Sequence, residues 1–156
     1  MLKVAPRWQA AIGLLGQVRD REAEPLLEAV LVDFAGDPDA LVAAVRALGR
    51  IGDAAAVAPL LHLAARVEQG GVLPAANLQH SMGPAQPPAR DIEWQVRSAL
   101  ADELARLGSP RPELVEAYRT DERAWVREQA MRLLDESQPA RAAAAPVDVT
   151  ASRASL

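Results

Sequence analysis

Two histidines, three tryptophans and the adjacent acids Asp102-Glu103 and Asp121-Glu122 are the residues in this chain best equipped for chemistry. A metal site needs imidazole and carboxylate ligands converging on one point, which on a helix means partners three or four residues apart. Neither His62 nor His80 is followed by glutamate, and neither has a carboxylate at ligand spacing. The chain has no cysteine, so disulfides, thiolate metal sites and cysteine nucleophiles are all excluded. It has no phosphate-cradling glycine loop, no Gly-x-Ser-x-Gly elbow and no His-Glu-x-x-His. Asp102-Glu103 and Asp121-Glu122 read as solvated acids at helix starts. The expectation is no catalytic residue, no metal and no cofactor.

Trp8, Trp94 and Trp125 each stand near the start of an apolar helical segment. Such residues wedge between packed helices, or form exposed aromatic anchors for a partner. Lysine and arginine number 17 against 21 acids, a net charge of −4. A phosphate-binding surface needs concentrated positive charge, and here the arginines are interspersed with acids, so nucleic acid is not the expected partner.

The elements that must position these residues follow from an internal repeat. Ala11-Ile12-Gly13-Leu14-Leu15-Gly16-Gln17-Val18-Arg19-Asp20 is echoed by Ala44-Val45-Arg46-Ala47-Leu48-Gly49-Arg50-Ile51-Gly52-Asp53, an offset of 33. Pro25-Leu26-Leu27 then falls on Pro59-Leu60-Leu61 at an offset of 34, which places one extra residue in the second turn. Leu14, Leu15, Ala47 and Leu48 are expected on the buried side, with Gly16 and Gly49 as left-handed helix ends. Asp20 and Asp53 suit the cap of the next helix. Ala23, Leu26, Leu27, Val30, Leu31 and Phe34 recur at the spacing of one buried face. Asp37-Pro38 and Ser109-Pro110 read as cap-then-proline helix starts. Trp94-Gln95-Val96-Arg97 and Trp125-Val126-Arg127 open two looser copies. The spacing predicts helices near 6–18, 21–35, 38–51, 54–68, 91–107, 110–119 and 122–136.

The Val-Arg-x-x-Ala helix, the Ala-Leu-Gly-Arg-Ile-Gly-Asp turn and the Ala-Val-Ala-Pro-Leu-Leu helix resemble the short HEAT-like repeats of the phycobilin lyases. The likeness covers residues 6–136 apart from 69–90 and is most specific at 44–61. It implies an all-α fold, an α-solenoid of about four HEAT-like helix pairs wound as a right-handed superhelix. Pro59-Leu60-Leu61-His62-Leu63-Ala64 also looks like an ankyrin core, but its extra leucine breaks that spacing. Deoxyhypusine hydroxylase, a HEAT-like enzyme, builds a di-iron site from repeated His-Glu pairs. None occurs here, so that activity does not carry over.

Residues 1–136 are therefore expected to form the repeat domain, with 69–90 a long loop between the second and third copies and 137–156 a mostly disordered tail. By the same resemblance the second helix of each pair lines a concave face. There Glu24, Glu28 and Asp33, with Glu22, would make an acidic end, and His62, Arg66, Glu116 and Arg119 a mixed one. Leu73, Leu78, His80 and Met82 are the loop's candidate anchors. The expected role is a non-catalytic scaffold in the cytoplasm that holds a partner protein through a basic or mixed-charge segment. The alternatives are an accessory subunit for cofactor attachment, as the phycobilin lyases imply, and an atypical nucleic-acid binder. No run of the sequence suits a membrane span.

Overall fold

A computed structural model describes residues 7–32, 38–70 and 89–144, with side chains placed over 10–32, 38–70 and 91–138. The order is α1 (Arg7–Gln17), a 3₁₀ turn (Arg21–Ala23), α2 (Glu24–Val32), α3 (Pro38–Ile51), a 3₁₀ turn (Ala54–Ala56) and α4 (Val57–Glu68). Then come α5 (Ala89–Arg106), α6 (Glu113–Glu116) running into a 3₁₀ turn (Ala117–Thr120), and α7 (Ala124–Ala144). No strand occurs among the described residues.

The repeat is set by its turn. Arg19 and Gly52 both take positive φ, 52° and 73°, at equivalent places. The residue after each one caps the next 3₁₀ turn: Asp20 Oδ1 accepts from the Glu22 amide and Asp53 Oδ1 from the Ala55 amide, each at 3.0 Å. A helix continues from that turn in both copies, so the 33-residue offset runs on through α2 and α4. The expected extra residue in the second turn is not there. Leu27 pairs with Leu60 and Ala23 with Ala56, all buried. The prolines misled because Pro25 and Pro59 lie one register apart, both in a first turn, where a missing N–H costs nothing.

Gly16 and Gly49 are not left-handed helix ends either. Both are buried helical residues at close helix contacts. A Cβ on Gly16 would stand 2.6 Å from Ala47 Cα, and one on Gly49 would stand 2.0 Å from Glu103 Oε2.

The helices stack in two layers. In the first, α1 packs on α3, α3 on α5 and α5 on α7; in the second, α2 packs on α4, and α6 lies against α5 and α7. One core of leucine, valine and alanine runs through the stack from Ile12 to Leu133. This is an all-α solenoid.

Several expected details change. Leu14 and Leu26 are exposed rather than in the core. Ser109 does not start a helix. Its amide closes α5 by donating to Leu104 O at 2.8 Å, beside Gly108 at φ 78°, and α6 begins only at Glu113. The last helix does not stop at 136 but runs to Ala144, with Ser137 buried and its Oγ donating to Leu133 O at 2.6 Å. Phe34, Asp37 and residues 145–156 lie outside the described residues.

Candidate functional site

The second layer was expected to carry the binding residues, and the structure divides them by role. Glu24 and Glu28 are half-buried on α2 rather than turned fully outward; the exposed residues of that helix are Pro25, Leu26, Ala29 and Val32. One Glu24 carboxylate oxygen is enclosed without a hydrogen bond. Burial, and then nearby Asp53, push the Glu24 carboxyl above its ordinary range against the pull of Arg21. The N-terminal end of this layer is thus apolar outside with carboxylates at its edge. Asp33, Leu73, Leu78, His80 and Met82 lie outside the described residues.

On α4, His62 is exposed. Arg66 is tied back into the fold, its Nη1 donating to Leu31 O at 3.1 Å. That bond satisfies a carbonyl near the end of α2 and joins adjacent repeats. Arg97 does similar work from α5, reaching Val67 O and Leu114 O at 3.5 Å each. On α7, Arg127 Nη1 donates to Asp121 O at 2.6 Å. The arginine of the Val-Arg pair therefore serves in both cases to hold backbone carbonyls of neighbouring elements or turns.

Glu116 and Arg119 are exposed and ion-paired at 3.0 Å. They form one wall of an open groove of about 170 Å³, whose other residues include Pro112, Met131, Leu134, Asp135, Ser137 and Gln138. These two expected site residues are brought together with the apolar Met131 and Leu134, which the sequence did not reveal. Met131 and Leu134 belong to the last helix, whose register alone gives no sign that it faces α6.

The tryptophans separate as well. Trp94 is buried, with its ring 4.8 Å from that of Tyr118 and its indole N–H donating to Gln129 Oε1 at 3.2 Å. Trp125 is 52% exposed, with the Arg123 guanidinium 5.7 Å from its ring centre. Arg123 is itself held by Asp91 and by both oxygens of Asp121, at 2.7 and 2.8 Å, and these carboxylates raise its already high pKa. Arg123 thus positions an exposed aromatic ring. The Trp8 side chain lies outside the described residues.

Residues 7–76 match the family model of HEAT repeats. Over those 70 of its 156 residues the chain is similar to HEAT repeats. No curated protein and no solved structure matches it. Among the described residues no three His, Asp or Glu side chains gather where they could hold a metal ion, and no helix is long and apolar enough to cross a membrane.

One acid interrupts the apolar interior of these repeats. Glu103, expected in solvent, is 1% exposed between α3 and α5. Arg46 lies 3.8 Å and Arg106 3.6 Å from its oxygens, and Asp102 shares both arginines. Oε2 has no hydrogen-bond donor. Burial pushes the Glu103 carboxyl above the carboxylate range, with Arg106 the strongest opposing influence. In the pH window between the ordinary carboxylate pKa and this raised one, the folded state holds the extra proton. Stability therefore falls as pH rises through that window. Glu103→Gln is expected to raise the melting temperature at neutral pH, with the gain shrinking as pH is lowered toward the ordinary carboxylate range. Thermal melts across pH check this; a gain that grows on acidification contradicts it.

Proposed function

We propose that this protein is a non-catalytic adaptor that grips a partner protein along its second helix layer and in the groove beside Arg119. HEAT repeats generally mediate protein–protein interaction. The observation that carries the finer reading is the groove itself. It combines both signs of charge, in Glu116, Arg119 and Asp135, with the apolar Met131 and Leu134. A peptide segment of mixed charge with an apolar side chain at its centre matches that lining, with rim charges setting orientation and on-rate. Among the described residues no comparable feature favours cofactor attachment or nucleic-acid binding.

Arg119→Glu tests the proposal. Both members of the ion pair are exposed, so stability is expected to change by less than about 0.5 kcal/mol. A partner captured from the native source by the unaltered chain is expected to be held at least about tenfold more weakly by the variant. Equal capture by both chains removes the groove from the proposal. Glu24 is a poorer probe than the sequence suggested, because its enclosed oxygen ties charge reversal there to folding.

A further inference from the structure

One repeat position is filled differently in the third copy. Arg19, Gly52 and Gly108 each take positive φ after a first-layer helix, which fixes the register of three copies. At the same place before those turns stand Leu14, Ala47 and Glu103, and the register of Val96 on Val126 adds Leu133. Ala47 lies against Gly16 of the copy before it, and Glu103 lies against Gly49 in the same way. This position is a stacking contact between copies, apolar in three of them and a carboxylate in one.

The joint that Glu103 occupies is lightly tied. In the first layer α3 packs on α5, but in the second layer the main contacts of α6 are with α5 and α7 rather than α4. The polar ties across the joint include Arg97 to Val67 O at 3.5 Å, Arg111 to Glu68 at 3.3 Å and Arg46 to Asp102 at 3.7 Å. The last two join partly exposed side chains, so solvent screens them. Glu103 itself is 1% exposed, with Arg106 and Arg46 at 3.6 and 3.8 Å and no donor on Oε2. A buried charge paired so loosely costs more than its attractions return.

We infer that this joint is a proton-operated hinge: with Glu103 neutral the helices α1–α4 and α5–α7 hold together as one block, and with Glu103 ionised the two groups part and rejoin as units. Parting returns the carboxylate to water, which solvates its charge. Burial raises the Glu103 carboxyl, and the charged groups acting on it are Arg106 and Asp102 of α5 and Arg46 and Arg50 of α3. The closed joint therefore takes the proton at a higher pH than the open one. Closure is favoured in the ordinary carboxylate range and weakens as pH rises through the raised value. The hinge is separate from the groove beside Arg119, and neither proposal depends on the other.

The absence of native cysteine lets pairs of spin labels report the motion in the full chain. Ala58 and Thr120 are exposed sites in the two groups of helices. Labels on Ala58→Cys with Thr120→Cys are expected to give a broad distance distribution at neutral pH. It is expected to narrow to one peak in the ordinary carboxylate range. Adding Glu103→Gln is expected to give the narrow peak at both pH values. Glu103→Leu, which copies the residue at Leu133, is expected to do the same. Labels on Ala29→Cys with Ala58→Cys, both in the first group, are expected to stay narrow throughout. A single narrow peak at every pH for the pair across the joint overturns the proposal. So does breadth that both Glu103 variants leave unchanged, or breadth shared by the Ala29–Ala58 pair, which places the motion outside the joint.

Discussion

Replacing Trp94 by alanine is expected to lower the unfolding free energy by about 3–5 kcal/mol, the range for deleting a fully buried large aromatic side chain. Trp94 is the largest fully buried side chain among the described residues. It sits where α5, the turn after α6, and α7 meet, touching Tyr118 on one and Gln129 on the other. Its loss opens a cavity at the junction through which the last helix is held to the stack. In a repeat array, stability is shared between neighbours, so weakening one junction also weakens cooperativity. Urea unfolding followed by circular dichroism is expected to show a lower midpoint and a broadened transition. Trp94→Phe keeps most of the apolar contact but leaves the Gln129 oxygen without its donor, and an intermediate loss of about 1–2 kcal/mol is expected. Trp125→Ala, on an exposed ring, is expected to stay within about 0.5 kcal/mol. Equal losses at Trp94 and Trp125 would show that the two rings do not differ as their burial indicates.

The helix pairs were legible in the sequence because their start and stop signals are local. Asp20 and Asp53 announce their caps, and the three-and-four spacing of Leu27 and Leu31 announces a buried stripe. What could not be read depends on neighbours. Gly16 and Gly49 look like helix ends in a one-dimensional pattern; only the approach of Ala47 and Glu103 shows that they are contact points. Leu14 and Leu26 satisfy the periodicity of a core, yet periodicity does not say whether another repeat covers them. Ser109 has the chemistry of a helix cap, but Gly108 bends the chain so that its amide closes the previous helix instead. The alignment of Trp94 with Trp125 fails for a related reason. Val96 and Val126 are both buried and set the register, which puts Trp125 level with exposed Gln95.

The expected binding residues were chosen by removing the buried stripe from each second helix and keeping the charges. His62, Glu116 and Arg119 are exposed, as that rule requires. It fails at Arg66, whose long side chain returns to a backbone carbonyl, and at Glu24, which tucks one oxygen under its neighbours. Spacing along one helix cannot report a hydrogen bond to the helix before it. For the same reason Glu103 passed as a solvated acid: Gly49 and Arg46, which lie against it, belong to α3, far from it in sequence.

The sharpest test of the corrected glycine role compares two substitutions three residues apart on α1. Gly13→Ala is expected to stabilise the protein by about 0.5–1 kcal/mol, because alanine loses less conformational entropy in a helix and nothing lies within 4 Å of the new methyl group. Gly16→Ala has the same intrinsic gain but places its methyl 2.6 Å from Ala47 Cα and 2.9 Å from Ala47 Cβ. The obstacle is backbone, which no rotamer change can clear, so α1 must move off α3. Overpacking of this kind costs about 1–3 kcal/mol, so after the helix gain a net loss of up to about 2 kcal/mol is expected. The two variants should therefore shift the urea midpoint in opposite directions. Gly49→Ala separates backbone from side-chain obstruction, since its nearest obstacle is the Glu103 carboxylate. Combining it with Glu103→Ala is expected to recover part of its cost, a coupling that a double-mutant cycle reads directly. If Gly16 only closed the helix, Gly16→Ala would disturb the turn at Arg19 and leave the contact with α3 intact. Hydrogen exchange at the α3 amides distinguishes the two: faster exchange around Ala47 is the signature of helices forced apart.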